Sequence, residues 1–440
     1  MLKIYAILDC NSFFASCEKS LHPEWADRPL IVLSNNDGCV VARSAEAKKY
    51  VPMGVPFYQI KSVVRREKIV VCSGNLPLYT AISERIMEML NRWTPDIEVY
   101  SIDEAFLDFT GLFIWEIRRT PGKEIVTKLG DRLQKLAGEM ILTIWNEVGI
   151  PVSIGIGPNK TVAKLANRVA KDLSFHYCNL LDDEKRIDVL KNMPLEEVWG
   201  IGRRILPKLK LLGVQTAWDL SQLNPVQLGK RFSVSQERTV RELCGECCLE
   251  FNAHKKIKKN IQVSSSFGTM VSELSELETA VSSFAARAAV KLRRQKSVTT
   301  SVFTRLYTNP YRQDLPQYFP ERGIRFSLPT GSTPEIIRAA LANLREIYQP
   351  GFLYKRAKVM LTDLLEESSL IRQPCLFDLD PDHPEESRKT DQRVMNLMDQ
   401  LNSEMKNSPL FFASEIGRRT WKPHSDFHFP VSEFPDSDDG

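Results

Sequence analysis

Two short acidic motifs carry the most specific chemistry in this chain. Asp9 closes the continuously apolar run Ile4-Tyr5-Ala6-Ile7-Leu8, and Asp103-Glu104 stand in Ser101-Ile102-Asp103-Glu104-Ala105-Phe106, where a second apolar run begins. Hard divalent cations bind where several carboxylate oxygens converge. Two such ions about 3.5–4 Å apart stabilise both the attacking and the leaving oxygen of an in-line displacement at phosphorus. Asp9, Asp103 and Glu104 are therefore the candidate catalytic and metal-binding side chains. Neighbouring residues of a regular strand face opposite ways, so Asp103 and Glu104 reach one site only at a bend or a strand end. Taken singly, each carboxylate reads more readily as a solvated turn or a helix cap.

A phosphate-bearing substrate also needs cations. Lys160 follows Asn159 at the start of an apparent helix, where free backbone amides and the helix dipole favour anions. Lys164, Arg168 and Lys171 continue a basic stripe opposite Val162, Leu165, Ala166 and Val169; a solvated helix face is the plainer reading of Arg168 and Lys171. The segment Trp199-Gly200-Ile201-Gly202-Arg203-Arg204, followed by Leu211-Leu212-Gly213-Val214, reads as a helix-hairpin-helix. Gly200 and Gly202 would let its backbone approach phosphates closely. Pro207 falls inside the expected second helix and should kink it.

The elements that must position these groups are mixed. Strands are expected at Leu30 to Leu33, Ile97 to Tyr100, Ala105 to Phe109 and Val152 to Ile156, with helices at Ser12 to Ser20, Ser44 to Tyr50, Leu78 to Trp93 and Leu129 to Asn146. This is an α+β core. Short helices follow from Pro194. A further α+β unit has helices at Glu276 to Gln295 and Pro334 to Tyr348 and strands near Ser301 to Leu306 and Arg356 to Leu361; a short helix is expected at Asp391 to Asn407. The connection Arg118 to Lys123 has no assigned role.

With 440 residues, 43% hydrophobic and 26% charged, the chain reads as a multidomain globular protein. No apolar run approaches the roughly 20 residues that cross a bilayer, and the N-terminus lacks a secretory pattern, so a cytoplasmic protein without a membrane partner is expected. The scattered cysteines, several inside apolar runs such as Cys10, Cys17 and Cys72, read as reduced core thiols, and Cys244, Cys247 and Cys248 lack a second pair for zinc. The net charge of +4 hides an asymmetry: residues 255–365 hold 18 Lys and Arg against 8 Asp and Glu, and residues 366–440 hold 8 against 16. The basic segment attracts polyanions, and its Arg287, Lys291, Arg293 and Arg294 are the densest candidates for contact with nucleic acid.

The segment Asp9 to Glu18, the Ser101 to Phe106 motif, and Gly155-Ile156-Gly157-Pro158-Asn159-Lys160-Thr161-Val162-Ala163-Lys164-Leu165-Ala166 together resemble the motifs, in order, of the Y-family DNA polymerases, and most nearly their UmuC branch. The resemblance implies a right-hand polymerase: a ferredoxin-like palm (1–22 and 76–172), small fingers (23–75), a helical thumb with the helix-hairpin-helix (173–245), an α+β little finger (255–365) and an acidic C-terminal region (366–440). It implies that Asp9, Asp103 and Glu104, with the Cys10 carbonyl, hold two Mg2+ ions. Phe14 falls at the family's steric gate, and Lys48 and Lys160 at positions that contact the nucleotide phosphates, although many relatives have Tyr and Arg where Ala45 and Lys48 stand.

The implied activity is error-prone, template-directed translesion synthesis in the SOS response to DNA damage, on primer-template DNA and deoxynucleoside triphosphates. Gln373-Pro374-Cys375-Leu376-Phe377 resembles a sliding-clamp peptide, with Gln373, Leu376 and Phe377 as its contacts. The C-terminal region implies a UmuD′-like accessory dimer and RecA as partners. Two rivals remain at this point: a nucleotide cyclase on a related palm, and a silent DNA-binding regulatory subunit.

Overall fold

The structure, a computed structural model, describes residues 2–120, 124–251, 257–369, 385–405, 410–417 and 421–428. The chain divides into two compact units, one of Met1–Ser34, Gly38–Lys255 and Phe427–Gly440, the other of Asn35–Asp37 and Lys256–Asp426.

In the first unit the order is β1 (Tyr5–Cys10), α1 (Phe13–Leu21), β2 (Leu30–Leu33), β3 (Val40–Arg43), α2 (Phe57–Arg66), β4 (Val70–Ser73), α3 (Leu76–Met89), β5 (Ile97–Val99), β6 (Glu104–Asp108), α4 (Ile114–Arg119), α5 (Glu124–Val148), β7 (Val152–Gly157), α6 (Lys160–Ala170) and β8 (Tyr177–Asn179). The helices α7 (Asp183–Asn192), α8 (Leu206–Lys210), α9 (Ala217–Ser221), α10 (Pro225–Arg231) and α11 (Val234–Leu243) follow. Five strands form one sheet in the order β5-β6-β1-β7-β8, and β3-β2-β4 form another. Period-two alternation splits the large sheet. Ala6, Leu8, Ala105, Leu107, Val152, Ile154 and Ile156 join the main core with residues of α3 and α5, whereas Ile7 and Phe106 meet Ala163 of α6 on the opposite face.

That α6 lies so close to β7 is a property of glycine. A Cβ at Gly155 would stand 2.0 Å from the Asn167 nitrogen, and one at Gly157 2.7 Å from the Ala163 nitrogen. Any side chain there would push α6, with its lysines, off the sheet.

Two local expectations are corrected. Residues 45–50 are turns, and the helix of this region is α2. Pro207 sits in the first turn of α8, where its missing N–H costs nothing, and does not kink it.

The second unit holds β9 (Ile261–Val271), α12 (Leu274–Arg294), β10 (Ser297–Thr308), β11 (Glu321–Thr330), α13 (Thr333–Ile347), β12 (Tyr354–Glu366) and α14 (Glu385–Glu404). Its antiparallel sheet runs β11-β10-β12-β9, with α12 and α13 packed on the face that carries Val302, Leu306, Val359 and Leu361. The acidic region contributes to this unit beyond a short helix. Trp421 is buried and meets Phe284 edge-on at 5.6 Å. Arg293 forks onto Asp399 of α14 at 2.7 and 2.8 Å. Asp399→Asn should cost about 1 kcal/mol in the docking of α14, read as roughly fivefold faster amide hydrogen exchange along that helix with α12 unchanged. Among the described residues no helix is long and apolar enough to cross a membrane.

Candidate functional site

The pairing of β1 with β6 gathers the acidic motifs. In β1 and β6, Asp9 stands directly opposite Glu104, so both side chains leave the same face, the one α6 covers. Cys10 N–H donates to the Asp103 carbonyl at 2.8 Å. Residues 101–103 form a bend before β6, which is the geometry that lets Asp103 and Glu104 serve one place. Ser101 Oγ donates to Asp103 Oδ1 at 2.5 Å.

Cations already lie on two of these carboxylates. Lys171 Nζ is 2.7 Å from Asp9 Oδ1. Lys164 Nζ donates to both Glu104 oxygens at 2.9 Å and lies over the rings of Tyr100 and Trp199, 4.6 and 5.3 Å from their centroids. Burial pushes the Asp9 carboxyl above the usual range; Lys171 pulls it back, and Glu104 and Asp103 push it up further. Among the described residues no three His, Cys, Asp or Glu side chains stand in ligating geometry; Asp9 and Glu104 face ammonium groups and Asp103 faces the Ser101 hydroxyl. The donor set is hard oxygen throughout and attracts cations, so these residues fit a hard divalent ion.

Lys160 does not join them. Its side chain is only 4% exposed, with Nζ 2.7 Å from Glu98 and 2.7 Å from the Glu250 carbonyl it donates to. The anion at the α6 N-terminus is Glu242 of α11, wholly buried. It accepts from Thr161 N and Oγ1 at 3.0 and 2.6 Å and from Cys248 N and Leu249 N at 3.1 and 2.9 Å. This carboxylate fixes the helix that carries Lys164 and is capped by Lys171. Glu242→Gln turns one acceptor into a donor facing N–H groups and should lower stability by about 1–2 kcal/mol, measured by urea denaturation.

Phe14, half-buried in the first turn of α1, stacks on Tyr79 of α3 with centroids 4.5 Å apart and planes 18° apart. The Tyr79 hydroxyl donates to Glu18, one turn further along α1, at 2.5 Å; both residues are buried. Burial raises the Glu18 carboxyl, the Tyr79 hydrogen bond opposing it. Lys48 is exposed among the turns after β3. Gly200, at φ +91°, and Gly202 are exposed, and the Trp199 ring before them packs on Tyr100 and Phe106.

In the second unit the basic residues chosen from sequence fall on the helical side. Arg293 is engaged by Asp399, Gly331 and Thr333. Arg287 lies over the Phe284 ring at 5.0 Å, and burial pulls its guanidinium below its ordinary range. Lys291 and Arg294 are exposed on the same helix. The opposite, open face of the sheet carries Phe303, Tyr307 and Met360 with Arg305, Arg325, Arg356 and Lys358, placed there by register. Nothing in the sequence groups these residues, which come from three strands. Gln373, Leu376 and Phe377 lie outside the described residues.

Known proteins are similar throughout. Residues 8–168 match the sequence model of the impB/mucB/samB family, and residues 258–374 that of the family's C-terminal domain. Protein UmuC of Salmonella typhimurium is 38% identical over 423 residues, 95% of each chain. Protein ImpB of Salmonella typhimurium is 37% identical over 425 residues, also 95% of each. DNA polymerase IV of Brucella melitensis is 24% identical over 379 residues, 85% of this chain and 78% of that one. Among solved structures, a Y-family DNA polymerase chimera of Dbh and Dpo4 matches with a TM-score of 0.65 at 22% identity, covering 82% of this chain and 99% of the other. An insertion ternary complex of Dbh DNA polymerase matches with 0.53 at 21%, covering 82% and 98%.

Proposed function

The chain belongs to the impB/mucB/samB family of Y-family DNA-directed DNA polymerases, and from that premise we propose that it performs error-prone translesion synthesis in the SOS response, in the cytoplasm. The observation that carries the reading is the β1–β6 register, which sets Asp9 opposite Glu104 beside Asp103. Asp9, Asp103 and Glu104, with the Cys10 carbonyl, would hold two Mg2+ ions. Bound there, the metal supplies charge stabilisation for the attacking and leaving oxygens. Lys171 and Lys164, which lie on Asp9 and Glu104, would contact the triphosphate together with Lys48 from the fingers, Lys171 taking the role the sequence suggested for the buried Lys160.

The palm comprises 1–22 and 76–172, the fingers 23–75, the thumb 173–245, the little finger 255–365 and the C-terminal region 366–440. Gly200 and Gly202 meet the primer-template backbone. The little finger meets duplex DNA on its open sheet face, which carries four cations and the rings of Phe303 and Tyr307. The peptide with Gln373, Leu376 and Phe377 takes the sliding clamp, and the C-terminal region a UmuD′-like dimer and RecA. Primer extension across an abasic site with all four deoxynucleotides tests the reading. Products longer than the lesion position are expected; synthesis on undamaged template that always stops before the lesion contradicts it.

A further inference from the structure

The open face of the second sheet carries its own opposing charge. Register sets Glu321, Arg305, Lys358 and Ser264 in one row across β11, β10, β12 and β9. The Glu321 carboxylate lies 3.2 Å from Lys358 Nζ and 3.9 Å from Arg305 Nη1. In the next row stand Tyr307 and Arg356. Arg305 and Arg356 both lay their guanidinium groups on the Tyr307 ring, 4.8 and 5.4 Å from its centroid. Among the described residues the buried Nε atoms of both arginines meet no hydrogen-bond partner. Stacking thus fixes the planar cations in place, while one anion occupies two of the face's positive charges.

We propose that Glu321 is an electrostatic brake on duplex binding: it holds Arg305 and Lys358 away from DNA phosphates and keeps the grip of this face weak. The proposal rests on the reading of the open sheet face as the DNA surface. A phosphate approaching either cation meets a carboxylate that competes for it and repels the phosphate. Glu321 and Arg305 are each about one-third exposed and Lys358 about one-tenth, so the Glu321–Arg305 pair is too weak to exclude DNA outright but strong enough to cost affinity. A weak grip shortens each encounter and limits the nucleotides added in it.

Fluorescence anisotropy of a duplex primer-template with the full chain, as a function of salt, tests the proposal. Glu321→Gln should bind roughly three- to tenfold tighter at about 50 mM salt, and its log–log salt dependence should steepen by about 0.9 for each cation released to phosphate. Glu346→Gln is the control. It makes the same change of net charge on α13, where Glu346 pairs with Arg322, and should leave the affinity unchanged. Binding by Glu321→Gln no tighter than by Glu346→Gln would overturn the brake. The double substitution Arg305→Ala with Lys358→Ala reports on the face itself. If it weakens binding while Glu321→Gln does not tighten it, the brake alone fails; if it binds as the wild type does, the DNA surface and the brake fail together.

Discussion

Asp9→Asn, and the double substitution Asp103→Asn with Glu104→Gln, should each reduce primer extension at least about 10³-fold while leaving affinity for primer-template within about threefold of wild type. These replacements keep size and shape, so a loss reflects the removed charge and not a collapsed sheet. The expectation follows from how β1 is held. It lies between β6 and β7 with Asp9 facing Glu104 and Ser153, and its backbone ladder does not depend on any carboxylate. Each substitution does release a lysine: Lys171 from Asp9, Lys164 from Glu104. Both are partly exposed and remain solvated, so the fold should survive, which circular dichroism checks. Retention of more than a tenth of wild-type extension by either variant would contradict the assignment.

Phe14→Ala should lower the preference for deoxyribonucleotides over ribonucleotides, as the ratio of kcat/KM values, by about 10- to 100-fold. The magnitude is that of a sugar hydroxyl forced against a ring without a partner, about 1–3 kcal/mol. The ring works only if it cannot swing aside. Phe14 and Glu18 lie one turn apart on α1, and Tyr79 binds both, through a stack at 4.5 Å and a hydrogen bond at 2.5 Å. Tyr79→Leu should therefore erode the same ratio, by a smaller factor, while kcat/KM for deoxyribonucleotides stays within about threefold. An unchanged ratio in Phe14→Ala would remove the residue from sugar selection.

The grouping of the acidic side chains was legible because each part of it is local: an apolar run ending in Asp9 and a bend carrying Asp103 and Glu104. What could not be read were partners supplied from far along the chain. Lys160 stands at a helix start, where an anion belongs, but the anion is Glu242, 82 positions later, and the ammonium is held by the Glu98 carboxylate and the Glu250 main-chain carbonyl. Arg293 has the spacing of a DNA contact on a basic helix, yet Asp399, 106 residues away, occupies it. The converse holds for Arg305, Arg356 and Lys358, unremarkable in sequence and brought together on β10 and β12 through strand register. The turns after Ser44 mimic a helical pattern over six residues, too short a window for periodicity to decide. Pro207 was misread by a few positions in the helix boundary, which determines whether a proline breaks a helix or starts it.

The most direct measurement is anomalous scattering from Mn2+ in crystals of the protein with primer-template and a non-hydrolysable deoxynucleotide. Two peaks are expected within ligating distance of Asp9, Asp103 and Glu104, with Lys164 and Lys171 moved off the carboxylates. Lysines still seated on Asp9 and Glu104, with Mn2+ bound only elsewhere, would contradict the claim that these three side chains form the catalytic metal site.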